Sequence, residues 1–251
     1  MKTRIVLAAL ALAAALPASA QKQGGGSTAA AGVVTIEQAK AEAGGVTPGD
    51  APGFPVTLSV PGSYRLAGNL TVADANTTAI VITSPNVTLD LGGFTVAGPV
   101  QCSLLGTGTV CNQIGVGDGV AVLIPNYNLR AAVAVVNGTV RGMGRHGLHS
   151  NSSFDGFRAE RVFAVGNARN GIFVNGGSVS DSHVLENGQI GIGGNHLLLV
   201  GNVVRGNGTS GISVNVSSAG VHNVVQGNPV DVTGGGMRNL GPNLCGITLC
   251  P

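Results

Sequence analysis

Gly171, Gly191 and Gly211 lie 20 residues apart, and each is followed by Ile. Asn175, Asn195 and Asn215 keep that interval on one side, and Asn167, Asn187 and Asn207 keep it on the other. Gly147-Leu148 and Asn151 come 24 residues before Gly171-Ile172 and Asn175, so one longer turn joins the series. A period near 20, with short Val/Ile runs and Gly/Asn corners, predicts a β-solenoid: each repeat is too small to bury its own apolar face, and stacking supplies the core. Each rung is expected to bend through about three short strands and rise by one strand spacing, ~4.8 Å.

The same grammar extends upstream. From Val56 the chain reads VTLSV, Pro61-Gly62, YRL, Gly68-Asn69, LTV, then AIVITS, Pro85-Asn86, VTLDL, Gly92-Gly93 and FTVAG. An antiparallel sandwich would use similar strands and turns, but sandwiches lack a fixed register of this kind. The fold expected is therefore all-β: a right-handed, single-stranded parallel β-helix of about seven to nine rungs over residues 56–233. Ile172, Ile192 and Ile212 should form one inward column, with Val174 stacking toward Val214. Val140, Ala164, Val184, Val204 and Val225 should form another. In-register asparagines should bond to one another as a ladder. Glu160 is awkward, because the register places it with Val136, Ser180, Val200 and Val221, read here as an inward column.

Residues 1–20 read as a Sec-type signal peptide: Lys2 and Arg4, an apolar run, then Ala18-Ser19-Ala20. Residues 21–55 read as a linker followed by a capping helix and loop. Thr35 and Gln38 resemble a capping box for a helix over 36–43. Residues 234–251 read as a disulfide-clipped tail. Export permits disulfides, and Cys102 with Cys111 and Cys245 with Cys250 form two local pairs, favoured among the three possible connectivities. The bacterial look of the leader points to a secreted or periplasmic protein without a membrane span. A net charge of +2 and the lack of a basic cluster with interleaved aromatics argue against nucleic acid as partner.

The segments GSYRLAGNLTV and NVTLDLGGFTVAG, with the GI-x-V and GN-x-V-x-GN turns that follow, resemble the parallel β-helix proteins of the pectate-lyase-like superfamily. The resemblance implies a polysaccharide or cell-surface glycan as ligand, and chemistry on an outward sheet face or beside loop insertions. The family's calcium-dependent lyases gather carboxylates at the metal. Here the 11 acidic residues are scattered, so no cofactor is expected and calcium finds no support. The adjacent Asp-Asp of the hydrolases and the Asp-Pro-His of the epimerases are missing.

On the outward columns, Arg161, Asp181 and His183 fall close together. A uronate lyase or epimerase would need a cation for the sugar carboxylate and a base for the C5 proton. Arg161, His183 and an orienting Asp181 are the candidate catalytic set. Arg145, His149, Arg205 and His222 are candidate substrate contacts. Ordinary surface ion pairs and solvated histidines account for the same residues. The leading expectation is an exported carbohydrate-binding or structural module. A lyase or epimerase, or an oligomeric adhesin-like subunit, are the alternatives, and the oligomeric state is left open.

Overall fold

The computed structural model describes residues 32–124, 132–150, 156–215, 217–234 and 237–250. The expected signal peptide, and most of the insertion that lengthens the 24-residue turn, lie outside these residues. The described chain is an all-β solenoid of about 8 turns, built almost wholly from parallel strand pairs.

Three faces run the length of the stack. The first carries Val56–Leu58, Ile80–Ile82, Val120–Val122, Leu148–Ser150, the start of Ile172–Ser180, the start of Ile190–Val200, and Ser210–Val214. The second begins with Val33–Ile36 on Gly62–Leu66 and passes through Val87–Asp90, Val133–Arg141 and Phe157–Val165. The third includes Thr95–Ala97, His183–Leu185, Val203–Arg205 and Val224–Gln226. Register follows the 20-residue period: Ile172 pairs with Ile192 and Ile192 with Ile212. Pairing continues past Gly234, where Met237–Asn239 and Leu244–Cys245 add strands to the second and third faces.

Alternation along each strand sends every second residue inward, because successive side chains point to opposite faces. Ile172, Ile192, Ile212, Val140, Ala164, Val184, Val204 and Val225 are fully buried, as their columns predicted. Gly191 shows why the series keeps glycine: a Cβ there would lie 2.5 Å from Val204 Cγ1 and 2.6 Å from the Gly211 carbonyl oxygen. The second face corrects the expectation for Glu160. Its register with Val136 and Ser180 is as read, but the inward column is Val135, Ala159, Val179 and Leu199, all fully buried. Glu160 faces out, half-buried, and pairs with Arg158 and Arg161.

Asparagine side chains close the corners. The backbone N–H of Asn167 donates to Asn187 Oδ1 at 3.0 Å, that of Asn187 to Asn207 Oδ1 at 3.1 Å, and that of Asn207 to Asn228 Oδ1 at 2.9 Å. Each amide also donates to the next amide oxygen and to a carbonyl of a lower rung, as Asn187 does to Asn207 and Ala164. A second ladder, Ser182–Asn202–Asn223–Asn243, serves the opposite corner. Asp231 ends the first ladder by accepting from Asn228 in place of another asparagine.

The first rung is closed differently from the expected capping box. Thr35 and Ile36 belong to the strand Val33–Ile36, and the helix runs over Gln38–Ala43 from Glu37 with no side-chain cap. Gln38 instead satisfies the strand edge below it, accepting from Thr71 N–H and donating to Thr71 O. Asp50 accepts from Thr57 N–H and Thr47 from Ser59 N–H, so side chains replace the missing rung.

Candidate functional site

The largest break in periodicity, residues 99–118, builds a hairpin across the stack. Cys102–Leu105 and Gly108–Cys111 pair antiparallel as a hairpin clipped by the Cys102–Cys111 disulfide. The second expected disulfide, Cys245–Cys250, is also formed. Alternation puts Thr109 on the hairpin's inner side, buried, while Leu105 and Val110 face out. Thr109 Oγ1 donates to Gly206 O at 2.5 Å. The disulfide end rests over Gly166 and Asn167. The hairpin therefore lies along the stack axis, across the corner between the third and first faces.

Two hollows of about 510 and 390 Å³ flank its inner edge and share Glu186. The larger is bounded by Leu104 and Thr107 of the hairpin and by His183, Leu185, Val203 and Arg205 of the third face. The smaller holds Arg141 and Gln101. Arg141 and Arg205 occupy one outward column through Val165 and Leu185, three rungs or about 14 Å apart at ~4.8 Å per rung. Among the described residues neither arginine has an ion pair, and the His183 ring has no hydrogen bond. The groove thus combines an apolar floor, two unpaired cations, an imidazole and one carboxylate.

The expected catalytic residues fall on adjacent rungs, since Glu160 pairs with Ser180 and Phe163 with His183, but Arg161 and Asp181 do not line the hairpin groove. Arg161, Asp181 and His222 occupy one corner column in left-handed geometry, with φ of 53°, 49° and 57°. Arg161 donates to Asn137 Oδ1 at 2.7 Å and pairs with Glu160, so its guanidinium is engaged toward the rung below. His183 stacks on Phe163, ring centroids 4.6 Å apart. Of the three, only His183 borders the groove. Arg205 borders it too, whereas His222 stays exposed on the other corner.

Arg145 and His149 come together around a residue that spacing did not reveal. Asp118 is fully buried, accepts from Arg145 twice and from the His146 backbone, and touches His149 Nδ1, which also lies 3.0 Å from Arg145 Nη2. Arg145 Nε donates to Oδ1 at 2.8 Å and its Nη2 to Oδ2; His149 Nδ1 lies 3.1 Å from Oδ2, and the His146 backbone N–H donates to Oδ1 at 3.1 Å. The cluster grows out of a third corner ladder. Thr78 Oγ1 accepts from Asp118 N–H, Asp118 from His146 N–H, His146 Nδ1 from Asn170 N–H, and Asn170 Oδ1 from Ile190 N–H. Burial alone would raise the Asp118 carboxyl, but the hydrogen bonds and charges of His149 and Arg145 outweigh it and hold the pKa below the ordinary value. His146 is pushed down to about 3, first by burial, against the attraction of Asp118 and with the help of nearby positive charge. Its ring stacks on Phe173, centroids 5.6 Å apart, and lies 5.0 Å from that of His149.

Asp118 and His146 were missed because this ladder changes residue type at every rung. The signal was the position immediately before each corner glycine: Asp118, His146, Asn170, Ile190 and Ser210. Among the described residues no cluster of three or more His, Cys, Asp or Glu is placed to hold a metal ion, and no helix is long and apolar enough to cross a membrane. Comparison with family models, with curated proteins and with solved structures finds no match for this chain.

Proposed function

We propose that this chain is an exported glycan-binding β-helix module whose ligand is an acidic polysaccharide lying along the hairpin groove. The observation that carries the reading is the pair of arginines, Arg141 and Arg205, on one outward column beside a locked hairpin wall, neither with an ion pair among the described residues, in two hollows that share Glu186 as their carboxylate. Two cations against the one carboxylate of Glu186 leave the groove net positive, and a partly enclosed groove focuses that potential and favours anionic ligands. Their separation of three rungs suits an extended polymer running parallel to the stack. The likeness of the GSYRLAGNLTV and NVTLDLGGFTVAG segments to the pectate-lyase-like superfamily supports the same ligand class, and the two disulfides suit a secreted or periplasmic setting.

Electrophoresis through gels containing acidic or neutral polysaccharides tests the reading. Retardation in gels with polyuronate, weakened by added salt, is the expected result. Equal mobility in all gels would defeat the proposal.

A further inference from the structure

The corner that follows the third face is built almost wholly from glycine. Gly142, Gly166, Gly206 and Gly227 follow the paired residues Arg141, Val165, Arg205 and Gln226. Their φ values are 64°, 60°, 66° and 66°, a left-handed geometry that a residue without Cβ adopts at no steric cost. Glu186 fills the remaining rung of this column, after Leu185 and between Gly166 and Gly206, with φ of 52°. A side chain kept in that region against four glycines is a strained choice, and such strain collects where a side chain has work at a site. Glu186 is also the residue that both hollows share. A Cβ at Gly206 would lie 3.4 Å from Glu186 Cγ and 3.4 Å from Leu104 Cδ1, so the Glu186 side chain leans over the next rung, beside the hairpin wall. Arg205 leans the same way, since a Cβ at Gly227 would lie 3.8 Å from its Cγ. The two side chains stay one rung out of step, and Glu186 has no ion pair among the described residues.

Along the groove the charges read positive, negative, positive: Arg141, then Glu186 two rungs on, then Arg205 one rung further. A carboxylate accepts hydrogen bonds and donates none. Opposite Glu186 a sugar hydroxyl can donate, whereas a second carboxylate meets like charge, a juxtaposition that rejects partners. A polymer charged on every sugar has no uncharged sugar to place there. We propose that Glu186 is the specificity-determining residue of the groove: it accepts from a hydroxyl of an uncharged sugar and selects acidic heteropolysaccharides, in which uncharged sugars separate the uronates, over homopolyuronates. The proposal rests on the acidic-glycan reading and goes beyond it, because Arg141 and Arg205 alone would favour the most densely charged polymer. Leu104, Leu185 and Val203 line the same hollow and give the C–H face of the uncharged sugar apolar neighbours.

The test measures dissociation constants of the full chain by affinity electrophoresis at one salt concentration. The probes are hyaluronate, charged on every second sugar, and polygalacturonate of matched length, charged on every sugar. The wild type should bind both, and hyaluronate more tightly. Glu186→Gln removes the charge and keeps the shape. It should lower the preference for hyaluronate at least ~10-fold, by weakening hyaluronate and tightening polygalacturonate. Glu186→Gly places the column's own residue at the corner. It should melt no lower than the wild type and lose the preference as well, which a merely structural glutamate would not do. It also carries the test if Glu186→Gln fails to fold. Equal or tighter binding of polygalacturonate by the wild type, or an unchanged preference in either folded variant, overturns the proposal and leaves acidic-glycan binding standing. Binding of neither polymer overturns both.

Discussion

At the scale of single residues, polar side chains do two separate jobs, and the Asn187 corner shows the structural one. Asn187 Oδ1 accepts from the backbone and amide of Asn167, while its own amide donates to Asn207 and Ala164. Asn187→Leu leaves several buried partners unmatched at about 1–3 kcal/mol each, so a loss of roughly 3 kcal/mol or more is expected in chemical denaturation. That ladder was legible in the sequence because one residue type recurs at a constant interval. The ladder through Asp118 was not, since Thr78, Asp118, His146 and Asn170 share only an acceptor atom. It makes a pH prediction. His146 has a folded pKa of about 3 against an ordinary 6.5, so between those values the unfolded chain binds more protons and stability falls with acidification, by up to ~1.4 kcal/mol per pH unit. Asp118, lowered from its ordinary 3.8, contributes stability that is present above that value and is lost as pH falls through its folded pKa. His146→Asn retains the acceptor, as Asn170 does one rung on. Melting curves should then show that the stability lost between pH 6.5 and pH 4 shrinks markedly in this variant.

Among elements, the hairpin is the piece that turns a regular stack into a surface with a site. The sequence marked it as an interruption carrying two cysteines, but not where it would lie. That depends on Thr109 reaching Gly206, 97 residues away, a contact no local pattern encodes. The disulfide limits the hairpin's freedom when detached, so Cys102→Ser with Cys111→Ser should loosen the groove wall and leave the stack standing. Circular dichroism should be unchanged, while retardation in polyuronate gels falls several-fold. The first rung teaches a different lesson. Thr35 and Gln38 have the spacing of a capping box, yet the strand edge of Gly62–Leu66 offers residues 33–36 a full set of parallel pairings, and tertiary pairing overrides the local cap.

For the whole molecule, apart from the hairpin, each rung touches only its neighbours, so stability should be close to a sum of rung and interface terms. Sequence periodicity conveyed this architecture almost completely, including the inward Ile172 and Val184 columns. It placed the chemistry less well. Arg161, Asp181 and His183 are neighbours in a two-dimensional unrolling of the rungs, but Glu160 and Asn137 hold Arg161, and the hairpin selects His183 with Arg205 instead. The central claim is that an acidic glycan is held by unpaired cations along that groove. Isothermal titration of the wild type, Arg141→Ala with Arg205→Ala, and Arg238→Ala with an oligouronate tests it most directly. Arg238 is exposed on the second face, outside the groove. The account predicts at least a ~10-fold weaker dissociation constant for the double variant, about 1.4 kcal/mol, and wild-type affinity for Arg238→Ala. Equal weakening in both, or none in either, would contradict it.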